Sequence, residues 1–227
     1  MGSSAGVPHE RDFMAAPRTH TTDVVAPSPL TAVSDTEYGS AAQRERRRRI
    51  LDVTLVLASK GGYDAVQMRT VAERADVALG TLYRYFPSKI HLLVSALIRE
   101  FEEIQEKLDR ASIPGDTPYE RTRVVLARIT RTMQREPQLT EAMTRAFMFA
   151  DPSAAAEVNT VGRLMEDMFI KAMHGAAADG EPTADDRAKA RVIGDVWLSN
   201  LVAWVTRRAS ANDVVNHLEL AARLLLK

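Results

Sequence analysis

Apolar positions along this chain recur at spacings of three and four wherever a pattern exists, and nowhere do they alternate as a strand requires. From Ala41 a run of arginines leads into Ile50, Val53 and Leu57. Their i, i+3, i+7 spacing predicts an amphipathic helix that stops at Gly61-Gly62. A short second helix is predicted over 68–75, with Val71, Ala72 and Ala75 turned inward. Asp76-Val77-Ala78 makes a tight connection to a third helix over 79–86, in which Leu82 and Phe86 share a face and which Pro87 ends. Ser88 is a good N-cap for a long fourth helix through Leu92, Leu93, Ala96, Leu97, Phe101 and Ile104 to about Ala111.

The rest reads as helices broken at Pro114-Gly115, Pro137, Asp151-Pro152 and a loop over 175–182. Two capping-box patterns open the last two helices: Thr183 with Asp186, running to about Arg208, and Ser210 with Asp213, running to Leu226. The first carries a stripe of Ile193, Trp197, Leu201 and Trp204; the second carries Val214, Leu218, Ala221, Ala222 and Leu225. Such stripes at a chain end suit a buried core and an isologous interface with a second copy equally well.

The fold class expected is therefore all-α. Residues 1–39, with Pro8, Pro17, Pro27 and Pro29 among small and polar residues and no apolar period, are expected to be a disordered tail. Residues 40–91 and 92–227 are expected to form two helical parts. With 227 residues and 45% hydrophobic content the chain can bury a real core. It has no cysteine, so disulfides and thiolate metal sites are excluded. His9, His20, His91, His174 and His217 lie far apart without metal-ligand spacing, as scattered surface histidines do. No apolar run approaches the ~20 residues of a membrane span or resembles a signal peptide, and a cytoplasmic protein without a membrane partner is expected. No cofactor is implied, and no acidic pair or Ser/His/Asp arrangement points to an enzyme.

Formal net charge is zero, but the charge is uneven. Residues 40–91 hold ten Lys and Arg against five Asp and Glu, a net of +5, so the remainder carries −5. A basic segment with two short helices joined by a tight turn suits a helix-turn-helix whose second helix enters the major groove, with a solvated charged face as the plainer alternative. Gly80 would let that helix approach DNA closely, and Thr81 offers a methyl to thymine and a hydroxyl to a base or phosphate. Tyr83 and Tyr85, two apart, are expected to place hydroxyls toward the backbone while Leu82 and Phe86 stay inside. The arginines from Arg44 through Arg47 to Arg49 can neutralise phosphates or reach a minor groove.

The run from Val71-Ala72-Glu73-Arg74 through Leu79-Gly80-Thr81-Leu82-Tyr83-Arg84-Tyr85-Phe86-Pro87-Ser88-Lys89 closely resembles the DNA-binding signature of the TetR family. Asp76 stands where the family usually has Gly, and Ala78 where it often has Ser or Thr. Asp tolerates the left-handed conformation of a tight turn, so the turn should survive; the missing hydroxyl at 78 removes a cap or a phosphate contact. The resemblance implies that Tyr83, Tyr85 and Lys89 hold phosphates, that Arg69 reads a guanine, and that Gln67 and Leu79 complete the DNA-contacting set with Arg44, Arg47, Gly80 and Thr81. It also implies a homodimer on operator double-stranded DNA, released when a small molecule binds the second helical part. Large or adaptable side chains there, Phe101, Met133, Met143, Phe147, Met148, Met165, Phe169, Trp197, Leu201 and Trp204, are the candidate effector-binding residues and favour a bulky hydrophobic ligand. Five blocks, at 42–47, 58–63, 80–89, 139–146 and 195–201 continuing at 206–210, resemble more narrowly the TetR-type repressors of steroid catabolism. That resemblance implies a steroid coenzyme A thioester as effector, its phosphates met by cations among Arg128, Arg131, Arg135, Arg145, Arg207 and Arg208; a fatty acyl thioester or a drug-like ligand is the alternative.

Overall fold

The computed structural model describes residues 40–110, 112–175 and 181–226; the expectation for residues 1–39 lies outside them. Every regular element among the described residues is helical. The order is α1 (Ala41–Ala65), α2 (Met68–Arg74), α3 (Leu79–Tyr85), α4 (Lys89–Arg110), α5 (Pro118–Arg135), α6 (Pro137–Met148), α7 (Ala155–His174), α8 (Ala184–Val205) and α9 (Ala211–Leu225), with a 3-10 turn Pro152–Ala154 before α7.

Local chemistry sets the helix ends. Ser40 with Gln43, Thr117 with Glu120, Thr183 with Asp186 and Ser210 with Asp213 all form reciprocal capping boxes, each satisfying two otherwise orphaned backbone donors. Asp186 accepts from the Thr183 hydroxyl and backbone and lies 3.2 Å from His174 Nε2, which holds its carboxyl down at about 2. Pro118 and Pro137 occupy first-turn positions where a missing N–H costs nothing.

The predicted stop at Gly61-Gly62 is an interruption. Both glycines leave helical geometry, Gly62 at φ 66°, and the chain then completes one more turn to Ala65. A Cβ at Gly62 would stand 2.8 Å from Glu141 Oε2 on α6, so the glycine permits both the left-handed backbone and the close approach of that helix.

His91 corrects the expectation of surface histidines, being 2% exposed. Its burial costs little because both ring nitrogens are used: Nδ1 pairs with Ser88 Oγ at 2.9 Å and Nε2 with the Ser153 carbonyl at 3.2 Å. A carbonyl can only accept, so Nε2–H donates to Ser153. Ser88 in turn accepts from the His91 backbone N–H, capping α4 as the sequence suggested.

One apolar cluster runs through the described residues from Ile50 to Leu226. α1 packs chiefly on α6; α4 lies against α1, α6 and α7; α8 lies against α7 and α9, and α5 against α7 and α9. Among the described residues no helix is long and apolar enough to cross a membrane.

Candidate nucleic-acid interface and cavity

α2 and α3 are joined by a turn in which Asp76 adopts φ 53°, and the Val77 N–H donates back to the Ala72 carbonyl at 3.0 Å. The carboxylate side chain tolerates this left-handed position, so the tight turn forms without glycine. Val71, Ala72, Ala75, Leu82 and Phe86 are buried and fix the angle between the two helices.

What remains outside α3 is Leu79, Gly80, Tyr83 and Arg84, with Thr81 half-buried. Their i, i+1, i+4, i+5 spacing makes one exposed stripe. A Cβ at Gly80 would meet nothing within 4 Å, so its surface is open for a close approach. The Arg69 side chain is 83% exposed and lies 3.8 Å from Glu73, and Gln67 and Arg44 are exposed. Arg84 belongs to this exposed stripe, although sequence reasoning counted it only as charge.

Three of the predicted DNA-contacting side chains are buried or half-buried. Tyr85 is 2% exposed and belongs to the core. Residues two apart on an α-helix are separated by roughly 200°, so Tyr85 cannot share the face of Tyr83. Arg47 is 8% exposed, with its guanidinium 5.3 Å from the centre of the Phe86 ring, so it braces α1 against the end of α3. Lys89 is half-buried with its ammonium 3.8 Å from the Tyr63 ring centre, and this burial pulls its pKa below the ordinary lysine value despite Asp64 nearby.

Behind these helices, α4, α5, α6, α7 and α8 enclose a cavity of about 30 Å³, lined by Leu97, Phe101, Met133, Thr140, Met143, Thr144, Phe147, Val161, Met165, Trp197, Leu198 and Leu201. Seven of the ten predicted effector residues are here. Met148 is not: it ends α6 and is 50% exposed. Phe169 is fully buried but faces Gly194 in the α7–α8 packing, and Trp204 packs on the core beyond the cavity. Thr140 and Thr144 were missed although their i, i+4 spacing with one another and their adjacency to Met143 marked the same helix face.

A second, larger space of about 770 Å³ opens between α7 and α8, with Asn159, Thr160, Gly162, Arg163, Glu166, Arg191 and Asp195 among its walls. Phe147, Met165 and Leu198 line both spaces and stand between them. None of the six arginines expected at a pocket mouth lines either one; Arg145, for example, lies 4.4 Å over the Tyr63 ring.

A helix-turn-helix with an exposed recognition stripe, carried on a larger helical body with its own apolar cavity, defines a ligand-responsive DNA-binding regulator. Residues 50–96 match the model of bacterial regulatory proteins of the tetR family, and residues 115–225 match the tetracyclin repressor-like C-terminal domain. The chain is 66% identical over 197 residues to the HTH-type transcriptional repressor KstR of Mycolicibacterium smegmatis, covering 87% of this chain and 95% of that one. It is 66% identical over 194 residues to the KstR of Rhodococcus jostii, covering 86% and 89%. A crystal structure of a TetR transcriptional regulator from Rhodococcus sp. RHA1 superposes with a TM-score of 0.74 at 31% identity, covering 82% of this chain and 97% of that one. The chain belongs to the TetR family of helix-turn-helix transcriptional regulators.

Proposed function

We propose that this chain is a dimeric repressor that binds operator DNA through α3 and the start of α2, and that leaves it when a steroid coenzyme A thioester occupies the helical body. Residues 40–91 serve as the reading head and residues 92–227 as the effector and dimerisation part. Within the head, Arg69, Thr81 and Leu79 face base edges, and Tyr83, Arg84 and Arg44 face phosphates.

The observation that carries this reading is the two-compartment cavity. A ligand with a rigid apolar body and a polar tail needs an apolar interior and an open groove in sequence, and the two spaces meet at Phe147, Met165 and Leu198. About 30 Å³ admits little more than a water, whereas ligand sites usually measure ~300–1,000 Å³. A steroid must therefore displace Met133, Met143 and Met165, whose unbranched side chains move at little cost. The blocks that resemble steroid-catabolism repressors coincide with these walls: 139–146 contains Thr140, Met143 and Thr144, and 195–201 contains Trp197, Leu198 and Leu201. Arg163 and Arg191 are the cations on the groove.

α8 presents Val192 and α9 presents Leu220 and Leu224 to solvent, apolar surface suited to a second copy across a two-fold axis. Dimeric heads must stand about 34–36 Å apart to enter successive major grooves. α4 starts immediately after α3 and carries Leu97 and Phe101 on the cavity wall, so expansion of the cavity tilts the helix that spaces the heads. Operator and effector then oppose one another reciprocally. Titration of steroid thioester against free protein and against the operator complex tests this: weaker binding to the complex is expected, and equal affinities refute the mechanism.

A further inference from the structure

Trp197 is 2% exposed, lies in the wall of the apolar cavity, and packs edge-on against Phe101 with ring centres 6.0 Å apart at 75°. Its indole N–H has no hydrogen-bond partner among the described residues. Buried donors in folded proteins are almost always paired, because an unmet one has given up its hydrogen bonds to water for nothing in return. Tryptophan is also the residue least able to hide such a defect. A threonine or serine hydroxyl rotates toward a helix carbonyl, as that of Thr54 does toward Ile50 at 2.8 Å, but an indole N–H is fixed in the ring plane. Ser95 Oγ, Thr122 Oγ1 and Thr130 Oγ1, also buried without a hydrogen-bond partner among the described residues, belong to residues that do not line this cavity.

Around Trp197 the cavity offers almost only hydrocarbon and thioether: Leu97, Phe101, Met143, Met165 and Leu201. The Thr140 hydroxyl is committed to the Met133 carbonyl at 2.8 Å, which leaves the Thr144 hydroxyl as the other side-chain polar group on this wall. A purely apolar ligand would leave the indole unmet, and a ligand rich in polar groups would find too few partners. We propose that the Trp197 indole N–H is the polar anchor of the effector site, donating to one acceptor oxygen, a ketone or hydroxyl, on the buried end of an otherwise apolar ligand. This deepens the function proposed above, on which the steroid part rests, by requiring that the effector carry such an oxygen at the end opposite its polar tail. An indole aimed at one oxygen discriminates oxygenated from deoxygenated skeletons, which apolar packing alone does weakly.

The chain contains two tryptophans, Trp197 and Trp204, so a proton–nitrogen spectrum shows two indole signals. The full-length protein is titrated with two matched pairs: a four-ring steroid ketone and its parent hydrocarbon, and the bicyclic decalone and decalin. Both ketones should move the Trp197 signal downfield, and both hydrocarbons should leave its hydrogen-bond state unchanged. Trp197→Phe, which keeps the ring packing, should cost the ketones about tenfold in affinity and the hydrocarbons less than about twofold. Equal losses for ketone and hydrocarbon, or a ketone complex with an unmoved Trp197 signal, overturn the proposal. If the steroid pair fails to bind the unaltered protein, the steroid reading is wrong and the bicyclic pair alone decides the anchor. If neither pair binds, the anchor is overturned as well.

Discussion

The backbone N–H of Tyr63 donates to Glu141 Oε2 at 3.1 Å, joining the end of α1 to the middle of α6 across 78 positions of sequence. The Tyr63 ring lies between two cations, Lys89 Nζ at 3.8 Å and the Arg145 guanidinium at 4.4 Å. Arg145 also reaches Asp64 at 3.6 Å and Glu141 at 3.8 Å. Removing the carboxylate leaves a part-buried donor unmet and two arginine contacts reduced to one. Glu141→Ala should therefore destabilise the protein by about 1–3 kcal/mol, with Glu141→Gln, which keeps an acceptor, losing less. Urea denaturation measures both; equal midpoints for Ala and wild type would show that the bond contributes nothing.

The two tyrosines of α3 should separate by assay. Tyr83 is 44% exposed and Tyr85 is 2% exposed. Tyr83→Ala is expected to weaken binding to every DNA sequence with little change in melting temperature, as loss of a phosphate contact does. Tyr85→Ala, a large-to-small change in the core, should cost about 3–5 kcal/mol of stability. Melting curves alongside gel-shift titrations decide this, and a large loss of stability at Tyr83 would reverse the assignment.

Arg69 and Lys89 differ in the same way. Arg69→Ala should cost about 1–3 kcal/mol on the cognate operator and relax base preference at one position. Lys89, seated over Tyr63 with a lowered pKa, is expected to register first in stability when changed to Ala. Operator variants scanned against each protein provide the readout, and uniform weakening by Arg69→Ala would make it a phosphate contact.

Leu224 is 62% exposed and Leu220 is 44% exposed on α9. If α8 and α9 meet a second copy, Leu224→Glu places an unpaired charge in an apolar interface. Light scattering at micromolar protein should then report monomers, with operator affinity falling because one head alone gains half the contacts. A dimer of unchanged stability would move the interface elsewhere.

Asp186 carries a pH dependence of known sign. Its carboxyl is held at about 2 against an ordinary 3.8, first by the Thr183 side chain and backbone and then by His174. A depressed acid stabilises the fold above its unfolded pKa and loses that contribution as pH falls toward its folded pKa. The stability gap between wild type and Asp186→Asn should be full at neutral pH and shrink between 3.8 and about 2. A gap that widens on acidification contradicts the cap.

Helix boundaries were readable wherever a local rule acts. Thr183 with Asp186 and Ser210 with Asp213 need only four residues of context to declare a helix start, and Asp76 needs only its own side chain to accept a left-handed turn. The exposed stripe of α3 was readable for the same reason, except at Arg84, which was counted only as charge, and at Tyr85, where a spacing of two was read as one face. What failed depends on the neighbours. Met148 and Met143 look alike in a helical pattern, yet α6 outruns its packing partners at Met148 and leaves it half exposed. Phe169 and Trp204 are apolar and inward, but which of two packed faces meets a cavity is fixed by where α7 and α8 cross. The groove between α7 and α8 had no sequence signal, because its floor is made by small residues such as Gly162, Ala190 and Gly194.

α6 is twelve residues long and presents Thr140, Met143, Thr144 and Phe147 to the cavity while Glu141 and Arg145 hold the end of α1. A helix of that length, about 18 Å, moves as a rigid rod. A movement that a ligand imposes on its inner side would therefore reach the end of α1 through the Glu141 and Arg145 contacts. Recognition and response are in this way written on opposite sides of a single part. On the function proposed above, a substitution on this helix that reshapes the cavity is expected also to change the effector concentration at which DNA is released.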